Sequence, residues 1–323
     1  MRAALLLAYG STPVLDERAE PVDAVNLVEV TAAPVVPLDL LCASGASYFG
    51  RPPLPYVPGV QGVGVVRRSA ELAPGTRVWF ATTAGMQPGD GSLAELCAVA
   101  TADLVPIEGE LSDAAAAAIG TSGIAAWMAL TWRARLQPGE RVVVLGASGI
   151  VGQVALAAAR HLGAAHLVAV VRSEAAEAPA LAAGATRVVT LADAPDRATL
   201  TARLTEAAGG PVDVVIDPVF GDPAAAAADA LGPGGRLVNL GGAAGDRSDF
   251  SSATLRGRSI AILGYTNNAI TPAQRAAALG SVLDLASSGA LTVTHVVRPL
   301  SACAESWASA GRSGTRVVLD PRE

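Results

Sequence analysis

Residues 142–152 read Val142-Val143-Val144-Leu145-Gly146-Ala147-Ser148-Gly149-Ile150-Val151-Gly152. An apolar, β-branched run stops at a glycine, two more glycines follow at intervals of three, and the pattern turns helical. Each glycine answers a separate steric demand: Gly146 permits the tight turn, Gly149 lets a pyrophosphate approach the backbone, and Gly152 lets the helix lie close to the strand. The first turn of such a helix leaves N–H groups free for phosphate. Gly146, Ser148, Gly149, Ile150, Val151 and Gly152 are therefore expected to cradle a dinucleotide.

Outward from this turn, six short β-branched runs alternate with alanine-rich stretches of helical length: Arg141 to Leu145, Leu167 to Val171, Arg187 to Leu191, Val212 to Asp217, Arg236 to Leu240 and Ser259 to Leu263. They are apolar almost without alternation, as strands covered on both faces are. The expectation is an α/β fold with a doubly wound parallel sheet. Before residue 120 the texture is rich in Pro and Gly, with alternating strands such as Gly62 to Val66 and Arg77 to Ala81, and reads as β-rich. After Leu263, Thr271, Pro272 and Gly289 bound a helix, and strands follow near Val293 to Val297 and Arg316 to Leu319. The reading is a β-rich domain of residues 1–121 and 265–323 interrupted by a dinucleotide domain of residues 122–264.

The tip of the second run narrows the cofactor. A nucleotide without a 2′-phosphate is normally met there by an acid on its ribose. Here Arg172 and Ser173 come first, with Glu174 one step later. A guanidinium beside a hydroxyl suits a 2′-phosphate, so NADP(H) is expected over NAD(H), and the missing acid argues against a methyltransferase.

Composition removes other classes. The chain has 323 residues, 51% of them hydrophobic and 16% charged, which provides for about two cored domains and excludes disorder. All 23 basic side chains are arginine, against 29 acids, for a net charge of −6. Without lysine there is no Schiff base, no phosphate-loop lysine and no Tyr-x-x-x-Lys pair. The acidic balance and the scattered arginines argue against nucleic acid. No run of about 18 uninterrupted apolar residues appears, so no membrane span is expected. Met1 to Ala8 has the basic tip of a leader, but Tyr9-Gly10-Ser11-Thr12-Pro13 closes it early, and a cytoplasmic location is expected. Cys42, Cys97 and Cys303 form no disulfide framework and no metal knuckle.

Several segments resemble the medium-chain dehydrogenase/reductase superfamily, in its zinc-independent quinone oxidoreductase branch. Pro58-Gly59-Val60-Gln61-Gly62-Val63-Gly64-Val65-Val66 is similar to the P-G-x-E-x-x-G-x-V stretch, Gly91-Ser92-Leu93-Ala94-Glu95 to G-x-x-A-E, Leu136-Gln137-Pro138-Gly139-Glu140 to L-x-P-G-E, and Val215-Ile216-Asp217-Pro218-Val219-Phe220-Gly221 to V-x-D-x-V-G-G. The resemblance implies a Rossmann sheet inserted in a GroES-like catalytic domain, with the site in the cleft between them. It adds Val219, Gly241 and Arg316 to the expected cofactor set. Where zinc-dependent relatives carry Gly-His-Glu, this chain has Gly59, Val60 and Gln61, so no metal is expected. His161, His166 and His295 have no ligand spacing.

The departures are as specific. Val36 and Leu41 stand where the branch commonly has Asn and Tyr, and Ile124-Ala125-Ala126 lacks the threonine of Leu-Thr-Ala. Tyr48, Ser122 and Asn267 are the catalytic candidates, with Tyr265 and Asn268 as further polar replacements. The expected activity is NADPH-dependent hydride transfer to a small, apolar, electron-poor acceptor: a quinone, enone or enoyl compound. The alternative is a catalytically silent dinucleotide-binding sensor. The run Ser259 to Gly264 is expected at the sheet edge, where a second copy would pair to give a homodimer.

Overall fold

The computed structural model describes residues 1–311 and 314–323. The chain divides into two units, Met1–Gly120 with Val293–Glu323, and Thr121–Thr292.

In the first unit β1 (Arg2–Leu5) and β2 (Val14–Glu17) pair antiparallel. A larger sheet holds β3 (Leu27–Pro34), β4 (Gln61–Arg68), β5 (Arg77–Ala81), β6 (Leu96–Ala98) and β7 (Leu104–Pro106), with two strands from the far end of the chain, β14 (His295–Pro299) and β15 (Arg316–Asp320). Its order is β14-β15-β3-β4-β5-β7, with β6 also on β3. Val318 and Leu319 of β15 lie opposite Pro34 and Ala33 of β3. Alternation decides the faces: Val28, Val30, Val78 and Phe80 turn into a core with Leu6 and Leu93. Helices of this unit include α1 (Pro37–Ser44) and, late in the chain, α9 (Cys303–Ser309).

The six apolar runs all become strands of the second unit: β8 (Arg141–Val144), β9 (His166–Val171), β10 (Arg187–Thr190), β11 (Val212–Asp217), β12 (Leu231–Asn239) and β13 (Ala261–Gly264). The sheet is parallel, in the order β10-β9-β8-β11-β12-β13. Val143, Leu145, Val168, Val170 and Val215 share a core with Leu200 and Leu204 of α5 (Arg197–Ala207) and the alanines of α6 (Gly221–Ala230). The intervening residues Val142, Val144, Leu167, Ala169 and Val214 are buried as well. With both faces covered, no polar alternation survives in these strands. The remaining helices are α3 (Ile150–His161), α4 (Glu177–Ala182), α7 (Ser252–Arg258) and α8 (Pro272–Ser287).

One feature departs from the sequence reading and a second has no counterpart in it. The second unit runs on to Thr292 rather than ending at 264. The Tyr265 N–H donates to Asn239 O at 2.9 Å, prolonging the β12–β13 ladder, and α8 packs on α3 and buries Ala278, Leu279, Val282 and Leu285. Thr271 and Gln274 form the capping box of α8. The second feature is α2 (Asp113–Met128), which breaks at Gly120 with φ 24° and ψ −125°. By length and composition alone the helical run Asp113–Arg133 could cross a bilayer, but 67% of its apolar window is buried inside the protein, as in a core helix.

Candidate dinucleotide site

β8 sits between β9 and β11, so the connections from β8 to β9 and from β10 to β11 run in opposite directions along the sheet, and the strand ends at that reversal are where such a sheet receives a ligand. The turn after β8 is pinned on both sides. Leu145 N–H donates to Ile216 O of β11 at 2.9 Å and Ala147 N–H to Val170 O of β9 at 3.0 Å.

The three glycines of this turn have different surroundings. Gly146 has φ +59°, and a Cβ on it would come within 2.7 Å of Val219 Cγ1. A Cβ on Gly152 would meet Ala147 Cα and Gly146 O at 2.6 Å, so α3 can touch the turn only without a side chain there. Gly149 differs. It is the N-cap of α3, with an ordinary extended backbone (φ −75°, ψ 164°), and a Cβ there would meet only Gly146 O at 3.4 Å. The protein has no steric need for glycine at 149, whereas a ligand resting on this backbone does. The first-turn N–H groups of α3 open onto the same place, an arrangement that fits a pyrophosphate. Gln153 Nε2 donates to Ser148 O at 2.9 Å and holds the loop against the helix.

Asp217, at the end of β11, had no role assigned to it from the sequence. It is fully buried; its Oδ1 accepts from the N–H groups of Val219 (3.0 Å) and Phe220 (2.7 Å), and its Oδ2 from Asn239 Nδ2 (3.1 Å). Asn239 Nδ2 also reaches Gly241 O at 2.7 Å, so one pair of side chains staples the loops after β11 and β12. The bend puts Phe220 at φ 59°, a costly conformation for a non-glycine residue. Burial raises the Asp217 carboxyl above its usual range, against the pull of these donors. The available signal was an acid ending an apolar strand.

Arg172 and Ser173 are exposed just past β9, whose last residue Val171 lies opposite Thr190 of β10. Thr190 Oγ1 donates to Glu177 Oε1 at 2.6 Å on the same rim. Among the catalytic candidates, Asn267 is already committed: its Oδ1 accepts from Tyr265 OH at 2.7 Å and its Nδ2 donates to Thr121 O at 3.0 Å. Burial raises the Tyr265 phenol further above its usual value. These two side chains brace the loop after β13 against the start of the second segment of α2. Ser122 is buried on that segment. Tyr48, in the first unit, is 77% exposed, its ring tilted on Phe49 at 4.2 Å between centroids.

Arg316, expected with the cofactor set, stands in β15 of the first unit, buried, and donates to Val35 O at 2.9 Å. Burial brings its guanidinium down to about 10, and the charge of Asp39 opposes this. Asp39, buried in α1, accepts from Val36 N–H and Val60 N–H, each at 2.9 Å. Val36 and Val60, both buried, are two of the positions at which the sequence departs from the patterns it resembles. Among the described residues, no group of three or more His, Cys, Asp or Glu side chains could hold a metal ion.

The parallel sheet and its glycine cradle define a dinucleotide-binding fold. Residues 23–109 match the family described as alcohol dehydrogenase GroES-like domain, and residues 151–282 the family described as zinc-binding dehydrogenase. Quinone oxidoreductase of Homo sapiens is 33% identical over 172 residues, half of each chain. Quinone oxidoreductase-like protein 2 of Mus musculus is 31% identical over 230 residues, 70% of this chain and 63% of that one. The crystal structure of the quinone oxidoreductase from Thermus thermophilus, described also in complex with NADPH, superposes with a TM-score of 0.79 at 28% identity over 99% of this chain and 100% of that one. The chain spans about half the length of the quinone oxidoreductases it matches in sequence. It belongs to the medium-chain dehydrogenase/reductase superfamily, in a quinone oxidoreductase-like branch.

Two outcomes follow from this geometry. Gly149→Val should fold, because extended backbone with a single ordinary contact at the Cβ suits a β-branched residue, and should lose dinucleotide affinity by orders of magnitude. Gly152→Val should lose thermal stability outright. Wild-type nucleotide affinity in folded Gly149→Val, measured by calorimetric titration, would contradict the assignment.

The second concerns Asp39, whose carboxyl burial pushes up to about 6, against the N–H groups of Val36 and Val60 and the charge of Arg316. An unfolded Asp titrates near 3.9. Between about pH 4 and 6 the folded chain keeps a proton that the unfolded chain releases, so the stability contributed by this group falls as pH rises through that window and is level above it. The unfolding free energy of wild type minus that of Asp39→Asn should therefore shrink from pH 4 to 6, as read by denaturant titration. A gap constant with pH would refute the assignment.

Proposed function

We propose that this chain is a zinc-independent, NADPH-dependent oxidoreductase that reduces a small, apolar, electron-poor acceptor of the quinone, enone or enoyl class, working in the cytoplasm. The observation that carries the reading is Gly149: a helix N-cap where the fold tolerates a side chain and a pyrophosphate does not. When bound, the reduced nicotinamide supplies the hydride. The chain's own share is to hold the phosphates on the first turn of α3, to fix the loop holding Val219 through Asp217, and to keep the Arg172 guanidinium exposed at the tip of β9.

NADPH over NADH is supported by the exposed Arg172 and Ser173 where an acid would serve a ribose, and by a relative described in complex with NADPH. Zinc independence is supported by Val60, an apolar residue standing where the resembling zinc-dependent pattern Gly-His-Glu has its histidine. Tyr265 spends its proton on Asn267, which leaves Tyr48 or water to protonate the reduced acceptor.

Oxidation of NADPH against a panel of quinones and enones tests the reading; binding without turnover on any acceptor would favour the sensor alternative, consistent with the missing Asn, Tyr and Thr at Val36, Leu41 and Ala125. In the same assay Arg172→Ala should weaken NADPH by about 10- to 150-fold, the equivalent of one charge-assisted bond, and leave NADH almost unmoved. An unchanged NADPH-to-NADH ratio would remove the case for the phosphate.

We also propose a homodimer through β13, an edge strand of the parallel sheet whose residues are only half-buried. Light scattering at micromolar concentration should give twice the chain mass; a monomer would refute it.

A further inference from the structure

Gln61 lies at the start of β4, fully buried, where the resembling stretch carries a glutamate. Two of the groups its amide meets are of opposite character. The Trp79 indole Nε1–H, donor only, gives its hydrogen to Gln61 Oε1 at 2.9 Å. The carbonyl of Ala117, acceptor only, takes one from Gln61 Nε2 at 3.3 Å. Ala117 is in the last turn of the first segment of α2, whose carbonyls have no helical partner beyond the break. A Cβ on Gly120 would overlap Gln61 Oε1, so the amide occupies the space that opens where the helix turns.

We propose that Gln61 is a positioning residue, a neutral two-way latch that ties the last turn of the first segment of α2 to β4 and β5 and fixes where that segment ends at Gly120. An amide is the side chain that accepts from Trp79 and donates to Ala117 at once without charge. An ionised carboxyl in its place would keep the first bond, turn an oxygen on the Ala117 carbonyl, and bury a charge. A protonated carboxyl, with one O–H and one C=O, reproduces both bonds. Burial favours that neutral form and raises a carboxyl by up to about 3–5 pH units.

The test is Q61E, with Q61M as a control of similar bulk that makes neither bond. The introduced carboxyl holds its proton in the folded chain and loses it in the unfolded one from about pH 4.3. The stability of Q61E relative to wild type should therefore be near parity at pH 4.5–5 and fall steadily as pH rises to 8. Q61M should lose a similar amount at every pH. A pH-independent deficit in Q61E, no deficit at pH 8, or failure to fold even at pH 5 would each overturn the latch, because the protonated carboxyl supplies both bonds.

This positioning role rests on the proposed activity only through a kinetic arm. Q61E turnover relative to wild type should fall on the alkaline side while Q61M is depressed throughout. Absence of turnover in wild type would sink the proposed activity and leave the stability arm standing. A normal pH profile of relative turnover, with the stability slope present, would show that the latch holds the helix without serving the reaction.

Discussion

Loops at the open end of a parallel sheet have no ladder to hold them, and this chain holds its loops with carboxylates that water does not reach. Asp217 gathers two N–H groups from the loop that follows it and one side-chain amide from the next strand. Burying an acid is expensive unless donors converge on it, and charge-assisted bonds to N–H groups are the stronger kind. That concentration of bonds lets Phe220 keep its unfavourable dihedral and lets Val219 press on Gly146. Asp39 repeats the device in the β-rich unit, tying the start of α1 to the loop before β4. Loop geometry at both places is thus set by one atom pair on a strand end or helix start rather than by loop composition.

The parallel sheet was legible because burial on both faces removes polar alternation, and that absence is itself a pattern. The glycine turn was legible because three steric demands fall at fixed intervals. The extent of the second unit was not. α8 carries alanines and a few leucines around its circumference, and such a helix shows no strong stripe by which its allegiance could be read; only its packing on α3 assigns it. Alanine has the same effect in α6, which is buried nearly throughout because small side chains let helix and sheet approach.

The polar residues divide by range. Arg172 and Ser173 could be placed because a strand end is a local feature. Arg316, Asn267 and Gln61 could not, because each is defined by a partner far along the chain: Val35, Thr121 and Ala117. A single sequence carries no sign of which distant carbonyl a guanidinium or amide will meet. The positive dihedral at Phe220 was hidden for a related reason, since nothing about phenylalanine announces it.

The pairing of β15 with β3 joins residues 318 and 34, with the whole second unit between them. On the ribosome, β3 emerges long before its neighbour exists, and the larger sheet of the first unit stays incomplete until the last strands are made. Closing a loop of that length costs entropy that grows only with the logarithm of its span, and an insert already folded on its own core has lost most of that freedom beforehand. The order of synthesis thus favours the parallel sheet maturing before the β-rich unit closes, with strands exposed along one edge until β14 and β15 have been made.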